Sequence, residues 1–318
     1  MWGPPNVRRT ILLNGVEMSV TENLEAALQQ ISSEGETFRI WIDALCIIQN
    51  NLVERSHEVK RMKEIYRGAS KVVVWLGQKT QYTTFAFDFI QEVASETRKR
   101  STEHDISLFW HSIRTDEARY TASQWRAFAA FLELLYWHRL WIIQELAMAN
   151  SDALIAWGDN TCSWWDLCKA YETIWALADT SALRICQARR HPELQRIHLH
   201  EAIVHLHIII NIREGVISGE QGPELMKLLD LSRHAHASDP RDHVYGLTSL
   251  FRPELSNLIV PNYEASASDV FRDFALSVIN ATGKLDIIYH GRRGKRLETE
   301  TSDLPSWATD GLNGLPTM

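Results

Sequence analysis

Hydrophobic and polar positions alternate along the first part of the chain in patterns that predict both helices and strands. Apolar residues recur at helical spacing over residues 23–31, behind a candidate N-cap at Thr21, and a β-rich apolar run follows over residues 38–48. A second amphipathic helix is predicted over residues 54–69, and residues 71–77 are typical of a buried strand that ends at a glycine. Because strand, helix and strand follow one another, the pattern predicts a parallel sheet.

The rest of the chain is predicted to be mainly helical. The predicted elements are one long helix over residues 123–149, a short strand over 153–158, helical structure over 164–231, a helix start at 239, a weak strand over 258–263 and an amphipathic helix over 266–281. The alternation of strand and helix therefore ends near residue 157. This predicts an α/β domain in residues 1–157 and a mainly helical region in residues 158–318.

The helix start at residue 239 has a specific physical basis. Asp239 can cap the helix, Pro240 suits the first helical position, and Asp242 adds negative charge to the first turn. We expect this segment to cap a helix and not to bind metal. Arg241 is expected to pair with a carboxylate elsewhere, with Asp43 or Glu145 as the choice.

Composition and charge exclude several classes of protein. The 318 residues are 45% hydrophobic and 23% charged, as in ordinary globular proteins, and the net charge of −7 leaves no positive field to collect nucleic acid. The longest apolar stretch is interrupted by polar residues, which excludes a predicted membrane span. We therefore expect a cytoplasmic protein that binds no nucleic acid.

Cysteine and histidine spacing offers no metal site. The four cysteines include no C-x-x-C pair, so a zinc ribbon and a redox motif are both excluded, and a reducing compartment fits best. His200 and His205 lie five residues apart beside Glu201, whereas the H-E-x-x-H motif needs a spacing of four to place both imidazoles on one helix face.

Two acidic residues are candidates for chemistry. Asp43 and Cys46 lie toward the C-terminal end of the predicted strand 38–48, where ligands bind in open parallel sheets. A buried unpaired carboxylate costs several kcal/mol, so Asp43 must be hydrogen-bonded, paired with an arginine or used in chemistry. Glu145 ends an apolar helical stripe near Arg139, and we expect it to face a cleft or an arginine.

Several motifs of this chain resemble those of the fungal HET (heterokaryon incompatibility) domain family. They are Trp41-Ile42-Asp43-Ala44-Leu45-Cys46-Ile47 with Gln49, Glu54-Arg55, the R-x-W-x-x-Q-E block within residues 137–145, the D-P-R-D-x-x-Y-x-L block of residues 239–247, and the weaker Pro261-Asn262-Tyr263. Two features depart from the family pattern. Ile48 stands where the family has a polar residue, and only Trp2-Gly3 remains of the family's opening L-S-Y-x-W-G strand.

The resemblance implies a HET domain in residues 1–157 with a truncated first strand, followed by a HET-associated helical extension. Residues 10–13 with 16–20 are candidates to fill the place of that strand. The family's role implies an effector of non-self recognition and programmed cell death, with an incompatibility partner protein. The HET domain is also distantly similar to TIR domains, which implies a flavodoxin-like parallel sheet with helices on both faces and cleavage of NAD.

The similarity to TIR domains implies roles for individual residues. Glu145 would be catalytic, stabilising the positive charge that develops on the ribose, and Asp43 would orient it or bind ribose. Trp41 or Trp141 would stack on a ring, and Arg139 would contact phosphate or pair with Glu145. The further candidates for cofactor binding are Cys46, Gln49 and Arg241. NAD is implied as a substrate, with no permanently bound cofactor.

A second interpretation is a non-catalytic module for oligomerisation and signalling. In it, Asp43, Arg139, Glu145 and Arg241 form a buried polar network, and the protein acts as a homo-oligomer or is an impaired fragment of such a module. The two interpretations differ in one observable property, because a catalytic Glu145 would be reachable from a cleft and a structural one would not.

Overall fold

The computed structural model describes residues 7–32, 39–100, 102–115, 120–149, 153–178, 199–218, 224–233 and 235–291. The strands are β1 (Arg8–Leu13), β2 (Val16–Thr21), β3 (Val73–Trp75), β4 (Leu154–Trp157) and β5 (Asn160–Ser163). The helices are α1 (Glu22–Ser32), α2 (Asp43–Cys46), α3 (Leu52–Gly68), α4 (Thr83–Arg98), α5 (Glu103–Thr115), α6 (Ala122–Leu132), α7 (Trp141–Met148), α8 (Trp164–Ala178), α9 (Leu199–Ser218), α10 (Leu225–Arg233), α11 (Asp242–Tyr245), α12 (Pro253–Ser256), α13 (Ala267–Thr282) and α14 (Asp286–Gly291). The protein is a mixed α/β structure, dominated by helix.

The chain divides into two compact units, each built from three separate segments. The first unit consists of Met1–Phe38, Lys71–Trp137 and Ser151–His207. The second consists of Arg39–Ser70, His138–Asn150 and Ile208–Met318. Both units therefore draw on the N-terminal and the C-terminal half of the sequence.

The first unit begins with a β-hairpin and a helix. Strands β1 and β2 pair antiparallel, and Asn14 (φ 52°) with Gly15 (φ 81°) forms the two-residue turn between them. Positive φ at both positions is the geometry of a type I′ turn, which suits the twist of a hairpin. Thr21 then accepts a hydrogen bond from the backbone N–H of Leu24 at 3.4 Å, which confirms the predicted N-cap of α1.

The main sheet of the first unit is small and mixed. Strand β3 runs parallel to β4, and β4 runs antiparallel to β5. The predicted strands over residues 71–77 and 153–158 are therefore confirmed. At the ends of these strands Gly158 donates to the carbonyl of Gly77 at 2.8 Å. A Cβ at Gly158 would lie only 2.6 Å from the Cβ of Lys79, so this approach requires glycine.

The strand predicted over residues 38–48 is wrong for the described residues 39–48. They form extended chain on either side of one helical turn, α2, in which the side chain of Asp43 accepts a hydrogen bond from the N–H of Ala44 at 2.8 Å. Such a local side-chain bond competes with strand pairing. Ile42 and Ile47 are buried on both sides of the turn, which gave the segment its strand-like apolar pattern. The described sheet consequently has one parallel pair.

The hairpin of residues 8–21 forms a separate sheet. Among the described residues its two strands pair only with each other, so they do not fill a place between the strands of the main sheet. The predicted segments 10–13 and 16–20 are thus strands, but of a different sheet.

The long helix predicted over residues 123–149 is also wrong, because the structure has two α-helices there with a short 3-10 helix, Leu135–His138, between them. Helix α6 begins with a capping box between Thr121 and Gln124 and ends at Leu132. The indole N–H of Trp137 donates to the carbonyl of Phe131 at 2.8 Å and so satisfies a group at the helix end. Beyond it, the chain leaves the helical path at Arg139, which forms an isolated parallel bridge with His236, and the carbonyl of His138 accepts from the N–H of His236.

The C-terminal predictions have mixed outcomes. Helical structure is confirmed for the described parts of residues 164–231, and α13 matches the predicted helix over residues 266–281, with Ser266 as its N-cap. The strand predicted over residues 258–263 is wrong, since these residues form no strand. Of the described helices, none is long and apolar enough to cross a membrane.

Candidate functional site

The D-P-R-D segment folds into a tight turn that leads into α11, within the second unit. Asp239 accepts a hydrogen bond from the backbone N–H of Arg241 at 3.1 Å and so stabilises the turn. Helix α11 itself begins at Asp242, after an N-cap at Arg241 that makes no side-chain cap bond, so the helix start predicted at Asp239 is wrong by three residues. The carboxylate of Asp239 accepts two more bonds, from Nε and Nη2 of Arg241, both at 2.9 Å. The partner of Arg241 is therefore Asp239, and the expected pairing of Arg241 with Asp43 or Glu145 is wrong.

Arg241 also holds the segment that follows α12. Its Nη1 donates to the backbone carbonyls of Tyr263 at 2.6 Å and Ala265 at 2.7 Å. Each of its three guanidinium nitrogens is thereby bonded to protein. The hydrogen bonds and charge of Asp239 raise the pKa of Arg241 above its already high ordinary value.

Arg55 joins helix α3 to this turn. Its Nη1 lies 3.1 Å from Oδ2 of Asp239, and its Nη2 lies 3.2 Å from Oδ1 of Asp242. The guanidinium also lies over the ring of Tyr263, with Cζ 3.7 Å from the ring centroid. A planar, forked cation is needed to reach two carboxylates and a ring face at once.

Asp242 is the most buried carboxylate of the group, with 5% of its side chain exposed. Its Oδ1 accepts from the hydroxyl of Tyr263 at 2.6 Å as well as from Arg55, and its Oδ2 accepts from the indole N–H of Trp141 at 3.1 Å. Burial raises the pKa of Asp242 above its usual range, and the Tyr263 hydrogen bond and the charge of Arg55 offset this only in part.

Asp239 differs from Asp242 in the direction of its pKa shift. Burial raises the pKa of Asp239. The hydrogen bonds and charge of Arg241, together with the charge of Arg55, lower this pKa by more than burial raises it, so the net shift is downward. Burial and the neighbouring Asp242 carboxylate raise the pKa of Tyr263. We name these six side chains the DPRD network: Arg55, Trp141, Asp239, Arg241, Asp242 and Tyr263.

Two further contacts position Tyr263 in the DPRD network. Its backbone N–H donates to the hydroxyl of Ser56 at 3.1 Å, and that hydroxyl donates to the carbonyl of Leu52 at 2.7 Å. Tyr245 packs edge-on against Tyr263, with ring centroids 5.2 Å apart, and its hydroxyl donates to the carbonyl of Asn262 at 3.2 Å. The start of α3 and the segment before α13 are thereby fixed to each other.

Residues 41–54 form a second group of predicted site residues. The side chain of Gln49 donates to the carbonyl of Asp43 at 2.9 Å, and Glu54 accepts from the N–H of Ile48 at 3.0 Å. Trp41 lies edge-on to Tyr66, with centroids 5.9 Å apart. These contacts hold the turn of α2 onto the start of α3, while the side chains of Cys46 and Gln49 are exposed.

The remaining predicted residues lie on or beside α7. Glu145 and Arg139 are both partly buried, and Trp141 uses its indole N–H to bind Asp242. The roles predicted for Glu145, Asp43 and Arg139 stay predictions. The second interpretation predicts a polar network of Asp43, Arg139, Glu145 and Arg241. Arg241 is the member of that set that belongs to the DPRD network.

Sequence reasoning missed four members of the DPRD network as site residues: Arg55, Asp239, Asp242 and Tyr263. Each lies in a motif: Arg55 in the E-R segment, Asp239 and Asp242 in D-P-R-D, and Tyr263 in P-N-Y. The signal was present, therefore, but nothing in the spacing of these motifs showed that they meet. Among the residues that the structure describes, no three histidine, cysteine, aspartate or glutamate side chains cluster in a way that could hold a metal ion.

Two buried polar atoms near these motifs have no hydrogen-bond partner among the residues that the structure describes. They are Oε1 of Gln144, on α7, and Nδ1 of His243, on α11. Burial lowers the pKa of His243 to about 4, so its imidazole is neutral at physiological pH.

Comparison with known proteins finds a family match for part of the chain. Residues 1–145 match the family model described as "Heterokaryon incompatibility protein (HET)". The chain is also similar to "Heterokaryon incompatibility protein 6, OR allele" of Neurospora crassa, with 24% identity over 334 aligned positions that cover 93% of this chain and 48% of that protein. The chain thus spans about half the length of this curated relative. No solved structure matches the chain. The predicted resemblance is confirmed for the motifs within residues 1–145, which match the HET family model.

Proposed function

We propose that this chain acts in fungal heterokaryon incompatibility, as an effector of non-self recognition that causes cell death and works with an incompatibility partner protein. The observation that carries the proposal is the HET match over residues 1–145, joined by similarity to the Neurospora protein along 93% of the chain. The site geometry adds that Arg55 and Trp141, inside the matched residues, are bonded to Asp239 and Asp242 beyond them. The functional unit therefore extends past the matched residues.

The contacts favour a signalling module held together by polar residues over an active site at the DPRD network. Both oxygens of Asp242 and both oxygens of Asp239 accept hydrogen bonds from protein groups. The guanidinium nitrogens of Arg241 bind protein acceptors as well. A substrate phosphate or ribose would have to displace these bonds, and each replaced charged pair costs several kcal/mol. Arg241 and Trp141 thus serve the fold in this proposal.

TIR-like cleavage of NAD is the second candidate, with Glu145 as the catalytic residue and Asp43, Arg139 and Trp41 at the substrate. Two observations favour it. Strands β3 and β4 are parallel and joined through helices, which is the connection that a doubly wound sheet requires. Glu145 lies in the last helix before β4 and is partly buried. The reaction would release neutral nicotinamide, and the Glu145 carboxylate would face the developing oxocarbenium charge.

Expression of the chain in fungal hyphae tests the incompatibility proposal. We would place the 318-residue chain under an inducible promoter in Neurospora crassa and measure growth arrest and uptake of a vital dye. Asp242→Asn should abolish killing because it breaks the DPRD network, whereas Asp273→Asn, at an exposed ion pair, should kill as the unaltered chain does. Viable hyphae with abundant unaltered protein would refute the proposal.

Incubation of purified protein with NAD separates the two mechanisms. A signalling module leaves NAD intact, and Glu145→Gln then kills hyphae as effectively as the unaltered chain. Release of nicotinamide that Glu145→Gln abolishes, with the melting temperature unchanged, would establish NAD cleavage instead.

A further inference from the structure

The hairpin of β1 and β2 has one apolar face. The strand register pairs Ile11 with Met18 and Leu13 with Val16, so these four side chains share a face. Polar residues dominate the other face, where Thr10 pairs with Ser19 and Leu12 pairs with Glu17. This division is typical of a sheet that buries one of its faces.

Most of this apolar face is open. Helix α1 covers its base, where Val20 is 4% exposed and Arg9 forms an ion pair with Glu22 at 2.6 Å. Toward the turn, by contrast, Val16 is 68% exposed and Met18 is 36% exposed. A two-stranded hairpin is marginally stable by itself, and a third strand or a packing partner is what stabilises such an element.

The outer edge of β2 is open to pairing as well. Because Leu13 and Val16 close a two-residue turn, they form a hydrogen-bonded pair, and such pairs alternate along the hairpin. The backbone groups of Glu17 and Ser19 consequently point outward. Among the described residues no strand pairs with this edge, and β2 contains neither the proline nor the lysine that usually protects an edge.

The sequence of β2 is self-complementary about Met18. In an antiparallel pair of two β2 strands centred there, Val16 of one copy faces Val20 of the other, and Glu17 faces Ser19. The outward backbone groups of Glu17 and Ser19 then meet as hydrogen-bonded pairs, and Met18 faces Met18 as the closer, non-hydrogen-bonded pair. No like charges oppose each other in this register. Strand β1, in contrast, carries two adjacent arginines, Arg8 and Arg9.

We propose that β2 pairs with β2 of a second copy of this chain, across a two-fold axis at Met18, to form a continuous four-stranded sheet. The pairing is isologous, so it closes as a dimer. Arg8 already donates to the carbonyl of Ser19 at 2.6 Å from the polar face of the hairpin. A carbonyl oxygen has two lone pairs, and it can accept the N–H of the second strand as well.

The oligomeric state of two matched variants tests this dimer. Met18→Lys would set two lysines opposite each other at the two-fold axis, and we expect the dimer dissociation constant to rise by about tenfold or more. Leu12→Lys adds the same charge to the same hairpin on its other face, at a side chain that is 72% exposed, and should leave the dissociation constant unchanged. Sedimentation velocity over a range of concentrations measures both, and circular dichroism checks that each variant is folded.

Disulfide trapping provides a second measurement that does not depend on destabilising the hairpin. Residues in a non-hydrogen-bonded antiparallel pair have Cα atoms about 4.5 Å apart, which a disulfide can span. Met18→Cys should therefore give a covalent dimer under mild oxidation, whereas Leu12→Cys and the unaltered chain, which both retain the exposed Cys46, should not. An unaltered chain that stays monomeric at all concentrations, or equal trapping of the two cysteine variants, overturns the proposal. So does a monomer whose hairpin binds a different protein through Met18.

Discussion

Phe131 and Asp242 are buried side chains, one in each of the two units of the molecule. Phe131 is fully buried in the first unit and contacts the rings of Phe87, Phe128, Trp137 and Trp157, with centroids 5.3 to 6.3 Å away. Asp242 is nearly as buried in the second unit, but its neighbours are donors and a cation. The surroundings of Phe131 are thus aromatic, whereas those of Asp242 are polar, although the second unit also buries apolar side chains such as Phe271 and Phe274.

This difference decides which amino-acid substitutions each of the two sites tolerates. An apolar core accepts a side chain of similar size and shape, because its contacts are non-directional. A buried carboxylate has no substitute, since removal leaves its donors without acceptors in a medium of low polarity. The DPRD network is therefore specified by chemistry at a few atoms, and the cluster around Phe131 by volume across many.

The largest expected effect is at the aromatic centre. Phe131→Ala should lower the free energy of unfolding by about 4 kcal/mol, because it removes a fully buried ring and leaves a cavity. Phe131→Leu should lower it by only about 1 kcal/mol, since most of the volume is kept. Chemical denaturation measures both, and equal losses for the two variants would contradict a core defined by volume.

Loss of the central carboxylate should have a somewhat smaller effect. Asp242→Ala should lower the free energy of unfolding by about 3 kcal/mol, because Arg55, Tyr263 and Trp141 lose their shared acceptor. Asp273→Ala is the matched control in the same unit. Its side chain is 67% exposed and pairs with Arg272, so we expect a change within about 0.5 kcal/mol. Similar losses for both variants would show that the DPRD network adds nothing to stability.

The smallest expected effect is on the pH dependence of the free energy of unfolding. It tests a second buried polar side chain of the second unit, His243. The pKa of His243 is about 4 in the folded protein, below the ordinary value of 6.5, so the unfolded chain binds more protons between these values. Above pH 6.5 the imidazole of His243 is neutral in both states and its burial does not reduce the stability of the fold. Stability is lost as pH falls from 6.5 toward 4, because the unfolded chain takes up the proton first. We expect this loss to be about 2 kcal/mol between pH 6.5 and pH 5, at about 1.4 kcal/mol per pKa unit.

Urea denaturation of variants over this pH range isolates the contribution of His243. His243→Gln should have a flatter dependence of stability on pH than the unaltered chain, whatever its absolute stability. His57→Gln, at a side chain that is 66% exposed, should keep the steeper dependence. An unchanged slope in His243→Gln would mean that the pKa of this imidazole is the same in the folded and the unfolded chain.

Local features of the fold were predictable from sequence because their causes are local. Thr21 and Ser266 cap helices through their own hydroxyls, and strand β3 lies in an uninterrupted apolar run. The strand over residues 38–48 was mispredicted because burial of Ile42 and Ile47 does not distinguish a strand from a single turn between extended segments. The break between α6 and α7 depends on His236, about a hundred residues away, which no local pattern contains.

The candidate site shows the same limit in its long-range contacts. The D-P-R-D motif revealed its turn, because Asp239 and the N–H of Arg241 are two residues apart. Its partner Arg55 was not predictable, since an arginine on a polar helix face resembles any solvated charge until the fold brings it to Asp242. Charge and spacing therefore predict which groups are able to pair, and the tertiary contacts decide which ones do.

Arg55 and Asp242 are 187 residues apart, and this separation affects synthesis of the protein. A ribosome that adds about 5–20 residues per second needs roughly 10–40 s to pass from one to the other. During that interval, helix α3 has emerged and the carboxylates that hold its arginine do not yet exist. The DPRD network therefore cannot be completed until the ribosome has passed Tyr263. A fragment cut at residue 145 would contain Arg55 and Trp141 without their acceptors Asp239 and Asp242, and would never form the network.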